Sequence, residues 1–422
     1  MGRYIALSHR WDSGGDVDRF CTYNRNVDDY HKKIDLCRLP KTFQDAITIT
    51  RELKIRFLWI DSLCIVQDDG LDWKREAALM GAVFSSAYCT LAGTSAQDST
   101  EGLLNTRSER PCIMMSASPG RHFYICESID DFHRDVEEGL LNTRGWVMQE
   151  RALSHRTIHF TKTQTYWECG EGIRCETLAK MQNSKAAFFS DPQFPQSALK
   201  YLKDGRIRLF EMLYERYSRL NLTMASDRSV AIAGLEQRLL ETFNCKGGYG
   251  VFERYLHRSL LWQRAGERMQ CIRYPTSRPV PTWSWMAWMG PISYVDVPFE
   301  KVDWSDNIGS PFENDIDDGS KGEVKSISHI PEIKLNARAK EFTLEEYQDE
   351  TLVLDSQTWQ DLRVVRCVVI GVERSNISVQ ERKHYVILIA PKNGCKTFER
   401  VGAGFLNGKY ISSTTAIEVQ IV

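Results

Sequence analysis

Leu58-Trp59-Ile60-Asp61-Ser62-Leu63-Cys64-Ile65-Val66-Gln67-Asp68-Asp69, followed at once by Asp72-Trp73-Lys74-Arg75-Glu76, puts a carboxylate into a run otherwise apolar enough for a buried strand. An acidic helix start comes directly after it. Burying an unpaired carboxylate costs on the order of several kcal/mol, so Asp61 belongs at the strand's exit, where it can meet a partner or a ligand. In α/β proteins, sites lie at such exits.

Alternation of strand-like and helix-like stretches extends from this run over the first 170 residues or so. Tyr4 to Ser8 reads as a short strand ending in the polar turn Ser8-His9-Arg10-Trp11-Asp12-Ser13-Gly14-Gly15-Asp16. Leu39-Pro40 opens a helix with Phe43, Ala46, Ile47 and Leu53 on one side, proline being tolerated in a first turn. A strand over Arg56 to Val66 follows, then a helix from near Asp72, whose Trp73, Ala77, Met80, Phe84 and Ala87 recur at helical spacing. Tyr88 to Gly93 reads as a third strand, Trp146 to Leu153 as helix and Thr157 to Trp167 as a fourth strand. Strands alternating with helices predict a mainly parallel sheet covered on both faces.

Composition excludes several classes. At 422 residues the chain exceeds one typical core, and its net charge of -2 supplies no basic field for nucleic acid. The longest apolar runs fall short of the roughly 20 residues a membrane span needs, and Met1-Gly2-Arg3-Tyr4 opens no signal-peptide core. A cytoplasmic protein is expected. The twelve cysteines are scattered singly with no Cys-x-x-Cys pair, which predicts reduced, mostly buried thiols and no zinc set.

Five ordered blocks resemble the fungal heterokaryon incompatibility (HET) domain family. They are Tyr4-Ile5-Ala6-Leu7-Ser8-His9-Arg10-Trp11, Leu39-Pro40-Lys41-Thr42-Phe43-Gln44-Asp45-Ala46, the opening run through Met80, Gly93-Thr94-Ser95-Ala96-Gln97-Asp98 with Gly102-Leu103-Leu104, and Arg144-Gly145-Trp146-Val147-Met148-Gln149-Glu150-Arg151-Ala152-Leu153-Ser154 running to Tyr166-Trp167-Glu168-Cys169. The resemblance implies a role in non-self recognition and regulated cell death, with protein partners in that signalling. The family is also distantly similar to TIR domains, which are flavodoxin-like, some of them using a glutamate to cleave nicotinamide from NAD. By that likeness Leu7-Ser8-His9-Arg10 takes the place of the TIR first-strand motif and the segment ending in Glu150 that of its glutamate. One departure is that His9-Arg10-Trp11-Asp12 replaces the more usual aromatic, small residue, Trp, Gly.

The expected chemistry follows from these placements. Glu150, Asp61 and His9 are the candidate catalytic groups; Arg10, Asp12, Arg144 and Trp146 would line the substrate. For an N-glycosidic bond, Glu150 would stabilise an oxocarbenium-like centre while Arg10 or Arg144 holds a diphosphate. No cofactor is firmly implied; NAD would be a substrate. His9 stands in a polar loop at a strand end, suited to acid-base work near neutral pH. Cys64, lacking a base, reads as buried packing. Equally, Arg144 or Glu150 could pair with Asp61 or Asp72 simply to hold helices on the sheet.

The domain reading is a HET domain over 1–190, a mainly helical region over 191–295 ending in a Trp-rich segment, a flexible insert over 296–345 centred on the Asp-, Gly- and Ser-rich stretch Asp303 to Ser326, and a β-rich region over 346–422. In Pro281-Thr282-Trp283-Ser284-Trp285-Met286-Ala287-Trp288, strand spacing would put Trp283 and Trp285 on one face. That opens an alternative function: a cyclase or pericyclase of secondary metabolism, binding a small apolar metabolite against Trp283 and Trp285. Simple packing of the same rings would look identical in sequence.

Overall fold

The computed structural model describes residues 2–11, 19–107, 112–118, 120–181, 194–201, 203–276, 279–312, 333–342, 351–356, 365–392 and 397–422. Asp12 and most of the Asp303 to Ser326 stretch lie outside them. Two compact units emerge, one of Met1–Ser197 with Val230–Leu235, the other of Ala198–Ser229 with Glu236–Val422.

In chain order the first unit runs β1 (Tyr4–Ser8), α1 (Val27–Lys32), α2 (Lys41–Glu52), β2 (Phe57–Ile60), α3 (Asp61–Cys64), α4 (Gly70–Ser86), β3 (Cys89–Ala92), a hairpin of β4 (Cys112–Ser118) and β5 (Arg121–Cys126), α5 (Gly145–Leu153), and then β6 (Arg156–Phe160), β7 (Thr165–Cys169), β8 (Gly172–Cys175) and β9 (Lys180–Met181). A seven-stranded sheet has the order β2-β1-β3-β6-β7-β8-β9. The first four strands are parallel, and β7 to β9 extend the sheet antiparallel. The sheet is therefore mixed rather than wholly parallel.

Three boundaries differ from expectation for local reasons. The strand expected over Arg56 to Val66 ends at Ile60, where the Asp61 carboxylate accepts from the Ser62 amide (2.7 Å) and a helical turn begins. Aspartate competes with the ladder in this way, bonding its own backbone. Helix α4 starts at Gly70 because Asp69, not Asp72, is the cap, accepting from the amides of Leu71 (2.8 Å) and Asp72 (3.2 Å). The single strand expected over Thr157 to Trp167 is two, folded back at a turn in which Thr161 Oγ1 donates to the Gln164 carbonyl (2.5 Å).

Register gives the sheet two unlike faces. Ile5 pairs with Leu58 and Cys89, Leu7 with Ile60 and Leu91, and Leu91 with Ile158; with Phe43 and Ala46 of α2 these form one apolar core. On the other face the rows are Ala6, Thr90, Thr157, Glu168 and Ser8, Ala92, His159, Tyr166. Small and polar side chains are buried there. Two of the quoted blocks also meet: Asp45 of α2 accepts from the amides of Leu103 (2.8 Å) and Leu104 (3.0 Å), as well as from Lys41. Gly102 makes this possible, since its φ of +82° favours glycine and a Cβ there would fall 2.6 Å from the Asp45 carboxylate.

The second unit contains α6 (Lys203–Ser218) and most of α7 (Ala233–Phe243), whose residues to Leu235 group with the first unit. Its C-terminal part is β-rich. Strands Arg366–Glu373, Leu335–Glu341, Ile417–Ile421, Thr397–Asn407 and Lys383–Lys392 pair in a closed ring, around a core that includes Val386, Leu388, Val401 and Leu406. Arg400 is wholly buried, paired with Asp355 (3.1 Å) and lying 3.4 Å from the centre of the Trp262 ring. The Trp-rich segment is not a strand over Trp283 to Trp285. Ser284 caps a 3-10 turn at Trp285–Ala287, taking the Met286 amide (3.0 Å) and donating to the Tyr249 carbonyl (2.7 Å). Cysteines are also less uniform than expected: Cys21, Cys89, Cys175 and Cys367 are buried, whereas Cys37, Cys64, Cys112 and Cys271 are exposed. Cys64 ends the helical turn after β2, which carries it out of the core.

Candidate functional site

From β1 the chain turns to β2 on one side and afterwards to β3 on the other, so the strand order reverses at the carboxyl end of β1. Ligands in open α/β sheets bind outside such a point. Ser8 is the last residue of β1, Asp61 follows the last residue of β2, and α5 brings Glu150 to them.

Helix α5 presents three consecutive buried polar residues, Gln149, Glu150 and Arg151, at 1%, 6% and 3% exposure. Successive helical residues point about 100° apart, so each faces a different neighbour. The Gln149 side-chain oxygen accepts from the amides of Gly234 (2.7 Å) and Leu235 (3.1 Å) at the start of α7. Glu150 accepts the Ser8 hydroxyl from β1. Arg151 donates to both Glu168 oxygens (2.7 and 2.8 Å) and to Glu137 (2.7 Å). Bonded in three directions, the helix cannot roll, and the orientation of Glu150 is set by its flanking residues as well as by Ser8.

Charge around Glu150 is unusual. Burial pushes its carboxyl up to about 7, the Asp61 charge adds to the rise, and the Ser8 hydrogen bond and the Arg144 charge oppose it. Asp61 accepts Trp11 Nε1 (2.9 Å), and His9 Nδ1 lies 3.6 Å from its other oxygen. Arg144 donates to the His9 carbonyl (2.6 Å). Four of the expected site residues are thus linked, Glu150, Asp61, His9 and Arg144, while Arg10, next to His9 in the chain, acts on Asp98. The Arg10 charge contributes to lowering Asp98, after that aspartate's hydrogen bonds with Thr100. His9 is not in an open loop; it is buried, edge-on to Phe43 at 5.0 Å.

Other expected site residues stand elsewhere. Trp146 turns toward α4, edge-on to Trp73 at 6.5 Å, and packs with Ala6, Met80 and Phe84. Trp283 and Trp285 belong to the second unit and are both 0% exposed. Trp285 packs on Tyr214 (5.3 Å) and Tyr217 (6.0 Å), while the Trp283 carbonyl accepts Trp262 Nε1 (2.9 Å). Asp72, weighed as a partner for Arg144 or Glu150, instead accepts the Val66 amide (2.9 Å) and pairs with Arg75.

Sequence reasoning missed Ser8 and the whole Arg151 network. His159 joins that network through Glu168 (2.9 Å), with its other nitrogen 3.2 Å from Thr94 Oγ1. Burial alone would raise Glu168; the Arg151 charge and hydrogen bonds from Arg151 and His159 overcome it and hold the carboxylate well below its usual range. Burial lowers His159. A faint signal existed in Thr157-Ile158-His159 and Tyr166-Trp167-Glu168, where polar residues alternate with apolar ones in strands that lie well inside the sheet. Among the described residues no group of three or more His, Cys, Asp or Glu side chains is arranged to hold a metal ion.

Fold and site together define an α/β domain with a buried acid at the point where its strand order reverses. Residues 4–150 match the model of the family described as heterokaryon incompatibility protein (HET), so the chain carries a HET domain in its first unit. Comparison with curated proteins and with solved structures gives no match. No helix among the described residues is long and apolar enough to cross a membrane.

Proposed function

We propose that this HET protein acts in heterokaryon incompatibility or regulated cell-death signalling, through cytoplasmic protein partners, and that its TIR-like first unit cleaves the N-glycosidic bond of NAD or a related nucleotide. The observation that carries the reading is Glu150: a buried carboxyl, 6% exposed, under the charges of Asp61 and Arg144 at the strand-order reversal. In the step, the bond between the ribose C1′ and the nicotinamide nitrogen breaks and the nitrogen keeps the electron pair. The ionised Glu150 faces the oxocarbenium-like centre; water then bonds to C1′ and loses its proton to Glu150. A carboxyl titrating near 7 is suited to taking a proton at neutral pH. Arg144 and Arg10 are the groups for the diphosphate.

NAD incubated with the purified full chain should disappear with release of nicotinamide, and Glu150→Gln should abolish the loss. Unchanged NAD at high protein concentration would sink the proposal. The alternative, a cyclase or pericyclase on an apolar metabolite, needs ring faces of Trp283 and Trp285 open to a ligand, and both rings are covered by protein.

A further inference from the structure

The hydroxyl that meets Glu150 also lines a small pocket. Its walls combine Ser8, Thr90 and Thr157 with the apolar Ala92, Leu141 and Val147, and it has room for about one water molecule. Its origin is in the register: Ser8, Ala92 and His159 form one cross-strand row, and the methyl of Ala92 leaves space between two larger polar side chains. A serine hydroxyl has one proton and two lone pairs. Here the proton goes to Glu150, leaving acceptor capacity on the pocket side.

We propose that Ser8 is the positioning residue of this site, and that a single water bound over Ala92 bridges it to the threonine hydroxyls. Ser8 fixes which way the Glu150 carboxyl points and favours its ionised form; the water holds Ser8 in the rotamer that does so. The assignment deepens the reading of Glu150 as the reacting carboxylate and depends on that reading for its consequence in catalysis. Other groups facing Glu150 are Asp61 from the turn after β2, with His9 beside it, and Arg144 at the head of α5; they are unchanged in the test variants.

The test is the titration of Glu150 in the full chain, labelled with carboxyl-13C glutamate and followed by NMR, with Glu150→Gln identifying the signal. Removing one hydrogen bond to a charged group should raise the midpoint in Ser8→Ala by about one pH unit. Ser8→Thr, which keeps the hydroxyl, should return it close to the parent value. A midpoint unmoved in Ser8→Ala overturns the proposal, as does a shift that Ser8→Thr fails to reverse, which would assign the effect to packing. A crystal structure at a resolution that orders buried waters should show one in contact with Ser8 and a threonine hydroxyl; its absence overturns the bridging role. Because the titration is read without substrate, a protein that leaves NAD intact would refute the catalytic reading while the Ser8 assignment is decided separately.

Discussion

Replacing Glu150 by glutamine should make the first unit more stable, by an amount that grows from about pH 4.5 and levels off above about 7. The carboxyl is buried and its midpoint is raised from 4.5 to about 7. Below 4.5 the group is neutral in both the folded and the unfolded chain, and the substitution changes little. Between 4.5 and about 7 the unfolded chain ionises while the folded one stays neutral, so the parent loses stability as pH rises. Above 7 both are ionised and the penalty is constant. A rise of about 2.5 units at about 1.4 kcal/mol each sets that penalty at about 3 kcal/mol, which the always-neutral glutamine removes. Native-state hydrogen exchange of the Ile5, Ala6 and Leu7 amides suits the measurement, because a chain of two units need not unfold in a single step. After correction for intrinsic exchange rates, the Glu150→Gln advantage should grow from near zero at pH 4 to about 3 kcal/mol at pH 8. An advantage that stays flat over this range would show that Glu150 titrates as an ordinary surface glutamate, and the reading of the site would lose its physical basis.

Two further outcomes concern the supports of α5. Arg151→Met leaves Glu168 and Glu137 buried without their cation and should cost about 3–5 kcal/mol; Arg151→Lys should rescue little, since a single ammonium cannot reproduce the forked contact to Glu168. Thermal unfolding followed by circular dichroism would read both, and a near-neutral Arg151→Met would contradict the network. Gly234→Ala places a Cβ 2.9 Å from the Gln149 oxygen and 3.0 Å from the Cα of Gly81. It should destabilise by about 1–3 kcal/mol through overpacking, read by faster exchange in α5.

The parts of this fold that were legible in the sequence are those where one residue type dictates the backbone. Asp61 ends β2 because its side chain bonds its own backbone, and the helical spacing of Ala77, Met80 and Phe84 identified α4 and its buried face. What failed was subtler. Asp69 and Asp72 are both acceptable caps by type, and only the three-dimensional path of Val66, which takes Asp72 as its own acceptor, leaves Asp69 to begin the helix. The tryptophans at 283 and 285 fit strand alternation equally well as a capped turn, and the deciding contact is Ser284 with the distant Tyr249 carbonyl.

The site divides along the same line. Asp61 could be named because a carboxylate in an apolar run is visible in one dimension, and Glu150 because its segment resembles the one carrying the TIR glutamate. Ser8 could not, since a serine closing a short strand is ordinary until the partner that consumes its proton is known, and that partner lies 142 residues away. The consecutive Gln149, Glu150 and Arg151 show why a local reading under-determines function: a triplet of polar residues suggests a solvated helix face, yet all three are buried. The strand order supplies Ser8 of β1 and Glu168 of β7 to two of them, and the start of α7 supplies the amides that Gln149 requires. A buried carboxylate held in that way has its charge state set by geometry rather than by solvent, and an acid that must change protonation state during a reaction needs that arrangement.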